Sequence, residues 1–142
     1  MIGYSELKSM KKVLIVYSKS GNMEAYAQAL KKGAESQGHL VTLKAADQSG
    51  DMLTCHPYDL VLVGSPAQGL FGGKLPADLK PFISSMKRLE GKETVTFMKF
   101  KLIGADKAMR NLMNFMEAQG SLVKDFRSFR STAEALAFGK TL

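Results

Sequence analysis

Two stretches of the chain carry apolar residues with no polar alternation. Val13–Tyr17 (VLIVY) and Asp59–Gly64 (DLVLVG) are short runs that stop abruptly at polar, glycine-bearing turns. A strand without a polar face is buried on both sides, as in a parallel sheet with helices above and below it. After the first run comes Ser18-Lys19-Ser20-Gly21-Asn22. Apolar residues then return at helical spacing (Met23, Tyr26, Ala27, Leu30, Ala34) and predict a helix over Met23–Gln37, closed by Gly38.

The same pattern continues along the chain. His39–Lys44 is a second strand whose imperfect alternation suits an edge. Ala45–Pro57 is a connection of polar and small residues. Beyond Gly64 a long glycine-bearing loop runs to Lys74, and loops of that length tend to be functional. A helix over Ala77–Leu89 puts Leu79, Phe82, Ile83 and Met86 on one face, with Pro81 tolerated in its first turn. Glu93–Phe97, or slightly beyond, is a fourth strand. Ala105–Gln119 is an amphipathic helix through Met109, Leu112, Met113 and Met116, ended by Gly120. Ser121–Phe126 is a fifth strand. Ser131-Thr132-Ala133-Glu134 is a capping box that opens a last helix to Phe138.

Regular alternation of this kind predicts an α/β fold: a doubly wound, five-stranded parallel sheet of order 2-1-3-4-5 between two helical layers. The expected organisation is one domain over residues 12–142 behind a short extension over 1–11. In that strand order the chain reverses direction between strands one and three, and a ligand is expected in the crevice at their C-terminal ends. Ser18–Asn22 and Gly64–Lys74 border that crevice. The first of these lies between a strand end and a helix start, where free backbone N–H groups and the helix dipole favour an anion. Ser18, Ser20 and Asn22 add side-chain donors. Gly21 can take positive φ, and Asn22 tolerates it. This chemistry points to a phosphate; the plainer reading is a βα turn with serines capping the helix.

Composition narrows the picture. The 142 residues are 45% hydrophobic and 23% charged, ordinary for a globular chain with a sizeable core. Twenty Lys and Arg against 13 Asp and Glu leave a net charge of +7, which favours acidic partners. The basic residues are scattered, so no specific nucleic-acid site is expected. The single cysteine, Cys55, excludes an internal disulfide and fits a reducing compartment. No segment is apolar enough for membrane insertion, and the first residues lack the core of a signal peptide, so a cytoplasmic location is expected.

Ser18-Lys19-Ser20-Gly21-Asn22-Met23, set between strand and helix, resembles the phosphate loop of the flavodoxin-like family, commonly [ST]-x-[ST]-G-N-T. Gly64-Ser65-Pro66, with the loop that follows and then Leu75-Pro76, is similar to the family's second loop. The resemblance covers nearly all of the chain from Lys12 onward. It implies FMN as cofactor, with the phosphate on Ser18, Lys19, Ser20, Gly21, Asn22 and Met23. The ring would lie against Ser65, Pro66, Ala67, Gln68, Gly69, Leu70 and Phe71, and against Lys99 and Phe100 after strand four.

Three departures distinguish this chain from the family pattern. Met23 stands in place of Thr and removes a hydroxyl from the phosphate shell. No Trp is present to stack on the ring, which leaves Phe71 and Phe100. Met98-Lys99-Phe100-Lys101-Leu102 lacks the glycines often found there. The basic charge also departs from the acidic flavodoxins proper. The expected role is electron transfer or small FMN-dependent oxidoreductase chemistry, with a redox protein or NAD(P)H as partner. The alternative is a flavodoxin-fold module that has lost flavin and acts by binding protein.

Other chemistries fit less well. Cys55-His56 has no ligand spacing and reads as structural. A cysteine-loop phosphatase would need a cysteine in the first loop. A phospho-receiver would need an Asp where Gly64 ends the third strand. The Met stripe reads as core packing.

Overall fold

Strands β1 (Lys12–Tyr17) and β3 (Leu60–Ser65) lie side by side at the centre of a parallel sheet, and their side chains alternate between two buried faces. The computed structural model describes residues 10–46, 53–68 and 73–142. Strands β2 (Leu40–Ala45), β4 (Glu93–Lys99) and β5 (Leu122–Phe129) complete the order β2-β1-β3-β4-β5. Every pairing is parallel, as the alternation predicts. The helices are α1 (Met23–Glu35), α2 (Leu79–Ser85), α3 (Ala105–Ala118) and α4 (Thr132–Gly139).

The core divides by strand parity. Leu14, Val16, Val61, Val63 and Met98 pack with Leu79, Phe82 and Ile83 of α2 and Leu112 and Met116 of α3. Val13, Ile15, Leu60, Leu62, Val95 and Phe97 pack with Tyr26 and Leu30 of α1 and Ala135 of α4. Burying one such aliphatic side chain contributes about 1.5–3 kcal/mol. An exposed ion pair such as Lys124–Glu93 (3.5 Å) contributes about 0.2–1 kcal/mol. Two-sided burial therefore sets the positions of β1 and β3.

Most boundaries fall within about two residues of the sequence reading, and the larger differences, in α2 and β5, have physical reasons. Helix α2 is shorter than Ala77–Leu89: Met86 is extended, because Lys87 donates to the Leu53 carbonyl (3.0 Å) and accepts from Cys55 N–H (2.8 Å). Met86 and Leu89 are buried all the same. Strand β4 runs two residues further than Phe97, so Met98 is a core residue and Lys99 ends the strand. Strand β5 extends past Phe126 to Phe129; as an exposed edge with a register shift at Thr94/Val95, its outer residues show no apolar pattern. Helix α1 ends at Glu35, two residues early. At α4 half of the expected capping box forms: Ser131 Oγ accepts from Glu134 N–H (3.2 Å), while Glu134 Oε1 reaches one residue past the N-cap and accepts from Arg130 N–H (2.8 Å). Of the expected extension over 1–11, residues 1–9 lie outside the described residues.

Helices α1 and α4 cross at Gly33 and Gly139, where a Cβ on Gly33 would fall on the Leu136 carbonyl oxygen. That neighbour is backbone and cannot rotate away. Gly33→Ala is expected to lower stability by about 1–3 kcal/mol through overpacking, against the small gain that alanine ordinarily gives a helix. Thermal unfolding of the variant checks this.

Candidate functional site at the ends of β1 and β3

Strand β1 ends at Tyr17, and the Ser18 N–H donates to the Gly64 carbonyl (3.0 Å), closing the β1–β3 ladder. Ser18 and Ser65 are both fully buried there. Beyond this rung the two chains separate: β1 leads into α1, and β3 leads into the loop before α2. The loop Ser18–Asn22 thus sits at the point of reversal that the strand order predicts.

Gly21 (φ 68°) and Asn22 (φ 59°, ψ 32°) are consecutive left-handed residues. They turn the chain so that α1 starts at once at Met23. The serines do not cap that helix. Asn22 is its N-cap residue, and its side chain makes no capping bond. Instead Ser18 Oγ accepts from Ser20 N–H (3.1 Å) and donates to the Asp78 carboxylate (2.9 Å to Oδ1, 3.1 Å to Oδ2). The Lys19 N–H donates to Asp78 Oδ2 (3.0 Å). Among the described residues no group accepts from the N–H of Gly21 or Asn22. The loop therefore holds one carboxylate and keeps open donors beside it. A carboxylate in this position is a stand-in anion, so the donor set fits a phosphate.

The Met23 side chain is fully buried in the core with Tyr26 and Leu30, so this position supplies the loop with its backbone N–H. Pro66 is buried against the loop: a Cβ on Gly21 would lie 2.6 Å from Pro66 Cβ and 2.9 Å from Pro66 Cγ. Ser65 Oγ donates to the Pro66 carbonyl (2.9 Å). Ala67 packs on the α2–α3 core. Gln68 pairs with Lys74 through two backbone bonds (2.8 and 2.9 Å), which ties the base of the second loop. Gly69, Leu70 and Phe71 lie outside the described residues.

Past β4, the Phe100 N–H donates to the Phe129 carbonyl (2.7 Å), and the Arg130 guanidinium lies over the Phe100 ring at 4.3 Å. Lys99 is exposed. Leu102 and Ile103 are also exposed, at 87% and 59%. The structure thus joins Ser18–Asn22, Pro66 and Asp78 by contact and places Lys99 and Phe100 two strands away from β1. Asp78 is absent from the sequence reading. It lies 60 residues from Ser18; the only local signal is an Asp just before a helix, which reads as an ordinary N-cap.

Cys55 and His56 belong to no cluster of metal-ligating residues among the described residues. Cys55 is buried, and burial pushes its thiol up to about 11 against a smaller opposing effect of the Lys92 ammonium. At neutral pH it is protonated and a poor nucleophile. No cluster able to hold a metal ion occurs among the described residues. No helix of the described residues is long and apolar enough to cross a membrane.

Residues 13–134 match the family of flavodoxin domains. The chain belongs to that family. Among solved structures it is similar to the two-electron-reduced flavodoxin of Megasphaera elsdenii, with 23% identity, 90% of this chain and 96% of that chain covered, and a TM-score of 0.70. It is similar to a flavodoxin from the domain Archaea at 23% identity, with 92% of each chain covered and a TM-score of 0.66. It is also similar to the FMN-bound flavodoxin of Fusobacterium nucleatum at 10% identity, with 93% of this chain and 96% of that chain covered and a TM-score of 0.64.

Gly21 meets two demands, a left-handed backbone and the contact with Pro66. Gly21→Ala is expected to cost about 1–3 kcal/mol, the order of such backbone strain. Urea unfolding should show the loss, and Gly38→Ala serves as a control with positive φ (90°) and no neighbour within 4 Å.

Proposed function

We propose that this protein binds FMN in the crevice at the ends of β1, β3 and β4 and acts as an electron carrier or a small flavin-dependent oxidoreductase. The observation that carries this reading is the loop at the reversal point, with two left-handed residues, open N–H groups and a carboxylate already seated on its donors. Ser18, Lys19, Ser20, Gly21, Asn22 and the Met23 N–H would hold the phosphate. Ser65, Pro66, Ala67, Gln68, Gly69, Leu70, Phe71, Lys99 and Phe100 would border the ring. The flavin, when bound, supplies the capacity to take up and release electrons. The chain's own part is to place it, shield it and set the charge around it; no residue is assigned a catalytic role.

The electron partner is a redox protein or NAD(P)H. Around the β4–α3 connection, Lys99 and Lys107 flank exposed Leu102 and Ile103, a surface suited to an acidic protein with an apolar contact. The lone buried thiol of Cys55 suits a reducing, cytoplasmic setting. One observation favours a second reading, that of a module without flavin that acts by binding protein: the Asp78 carboxylate already satisfies Ser18 and Lys19.

Titration of apoprotein with FMN and with riboflavin separates the two readings. Two charge-assisted bonds from the open N–H groups contribute about 3–6 kcal/mol in all, so FMN is expected to bind about 10²–10⁴-fold more tightly than riboflavin. Equal affinity for the two would mean that the loop is not a phosphate site, and binding of neither favours the flavin-free module.

Lys99 gives a further expectation. A cation close to the ring favours the negative charge that reduction adds. Potentiometry of FMN-loaded Lys99→Gln at fixed ionic strength is expected to give a lower potential than the parent. An unchanged potential makes Lys99 an ordinary surface charge.

A further inference from the structure

We propose that Asp78 is a built-in anion for the β1–α1 loop: its carboxylate holds the loop in shape without ligand, and a phosphate must displace it from Ser18 and Lys19 to use all the loop's donors. The proposal rests on the FMN reading for the identity of the phosphate.

Asp78 stands at the N-cap position of α2, where an aspartate ordinarily accepts from its own helix. Here its side chain makes no such bond. Both carboxylate oxygens turn instead to the neighbouring loop, taking the Ser18 hydroxyl at 2.9 and 3.1 Å and the Lys19 N–H at 3.0 Å. Ser18 Oγ passes the effect on by accepting from Ser20 N–H at 3.1 Å. One side chain from α2 thus fixes three successive residues of the β1–α1 loop. No salt bridge to Asp78 occurs among the described residues, so N–H and O–H donors alone satisfy its charge.

The other half of the loop is open. Gly21 and Asn22 present N–H groups that no described residue accepts from. A phosphate seated on them comes next to the carboxylate, and like charges in one site repel. The hydrogens of Ser18 and Lys19 cannot serve both anions fully. The phosphate's affinity therefore carries the cost of moving Asp78 aside, and Asp78 is a positioning residue that sets how readily the loop accepts a ligand.

The test is Asp78→Asn, which keeps the shape and removes the charge, with Asp78→Ser as a second variant, a residue type favoured at the N-cap position but too short to reach both donors. Thermal unfolding of each apoprotein is measured with and without inorganic phosphate, and calorimetry compares FMN with riboflavin. Without anion the variants are expected to melt below the parent. Phosphate should then raise their melting temperature by more than it raises the parent's. FMN should bind the variants about tenfold more tightly or better, with riboflavin unchanged. Weaker or equal FMN and phosphate binding in both variants would overturn the proposal and make the carboxylate an organiser of the site. If FMN binds none of the proteins, the FMN reading falls, and inorganic phosphate alone decides: a larger stabilisation of the variants upholds the displaced carboxylate, and an equal or smaller one rejects it.

Discussion

The bond from the Ser18 N–H to the Gly64 carbonyl is the last rung between two strands buried on both faces, and the site depends on it. Below the rung, β1 and β3 have no freedom, because their residues fill both layers of the core. Above it, the strand order sends the two chains apart. A rigid base and diverging exits leave a crevice whose walls are backbone at the start of α1 and the loop after Ser65. The contact between Gly21 and Pro66 sets the distance between those walls.

Within that frame the loop's chemistry follows from backbone geometry more than from side chains. Two left-handed residues have N–H groups that no described residue accepts from, and α1 begins without a side-chain cap. Such a helix start needs an acceptor from elsewhere. The loop just ahead of it already holds one, because Asp78 from the adjoining element accepts from the Lys19 N–H. A loop that binds an internal carboxylate has the electrostatic preference that a phosphate ester would use. The fold family and the loop thus point to the same class of ligand on separate grounds.

Much of this was legible in the sequence because burial leaves a pattern. Val13–Tyr17 and Leu60–Val63 are apolar throughout, as strands buried on both faces are, and the regular alternation of strands and helices around them gives the strand order and the reversal point. Boundaries were less legible where structure and hydrophobicity part. Strand β5 is an exposed edge, so Lys124, Asp125 and Arg127 hide its length. Helix α2 yields its last turn to a backbone pairing of Lys87 with the segment around Cys55, which no local pattern announces. Asp78 was illegible for the same reason, since its partners are distant in sequence and close only in the fold. Met23 shows another limit: the motif comparison notes the hydroxyl that this position lacks, but not that its side chain serves the core and leaves the loop its backbone N–H alone.

The central claim is that the N–H groups of the Ser18–Met23 loop receive the ligand's phosphate. Amide resonances of Ser20, Gly21, Asn22 and Met23, followed by two-dimensional nuclear magnetic resonance during titration with FMN and then with riboflavin, test it directly. The account predicts large downfield shifts of the Gly21 and Asn22 amide protons with FMN and little change there with riboflavin. Shifts of the same size with both ligands, or shifts confined to residues outside this loop, would contradict it.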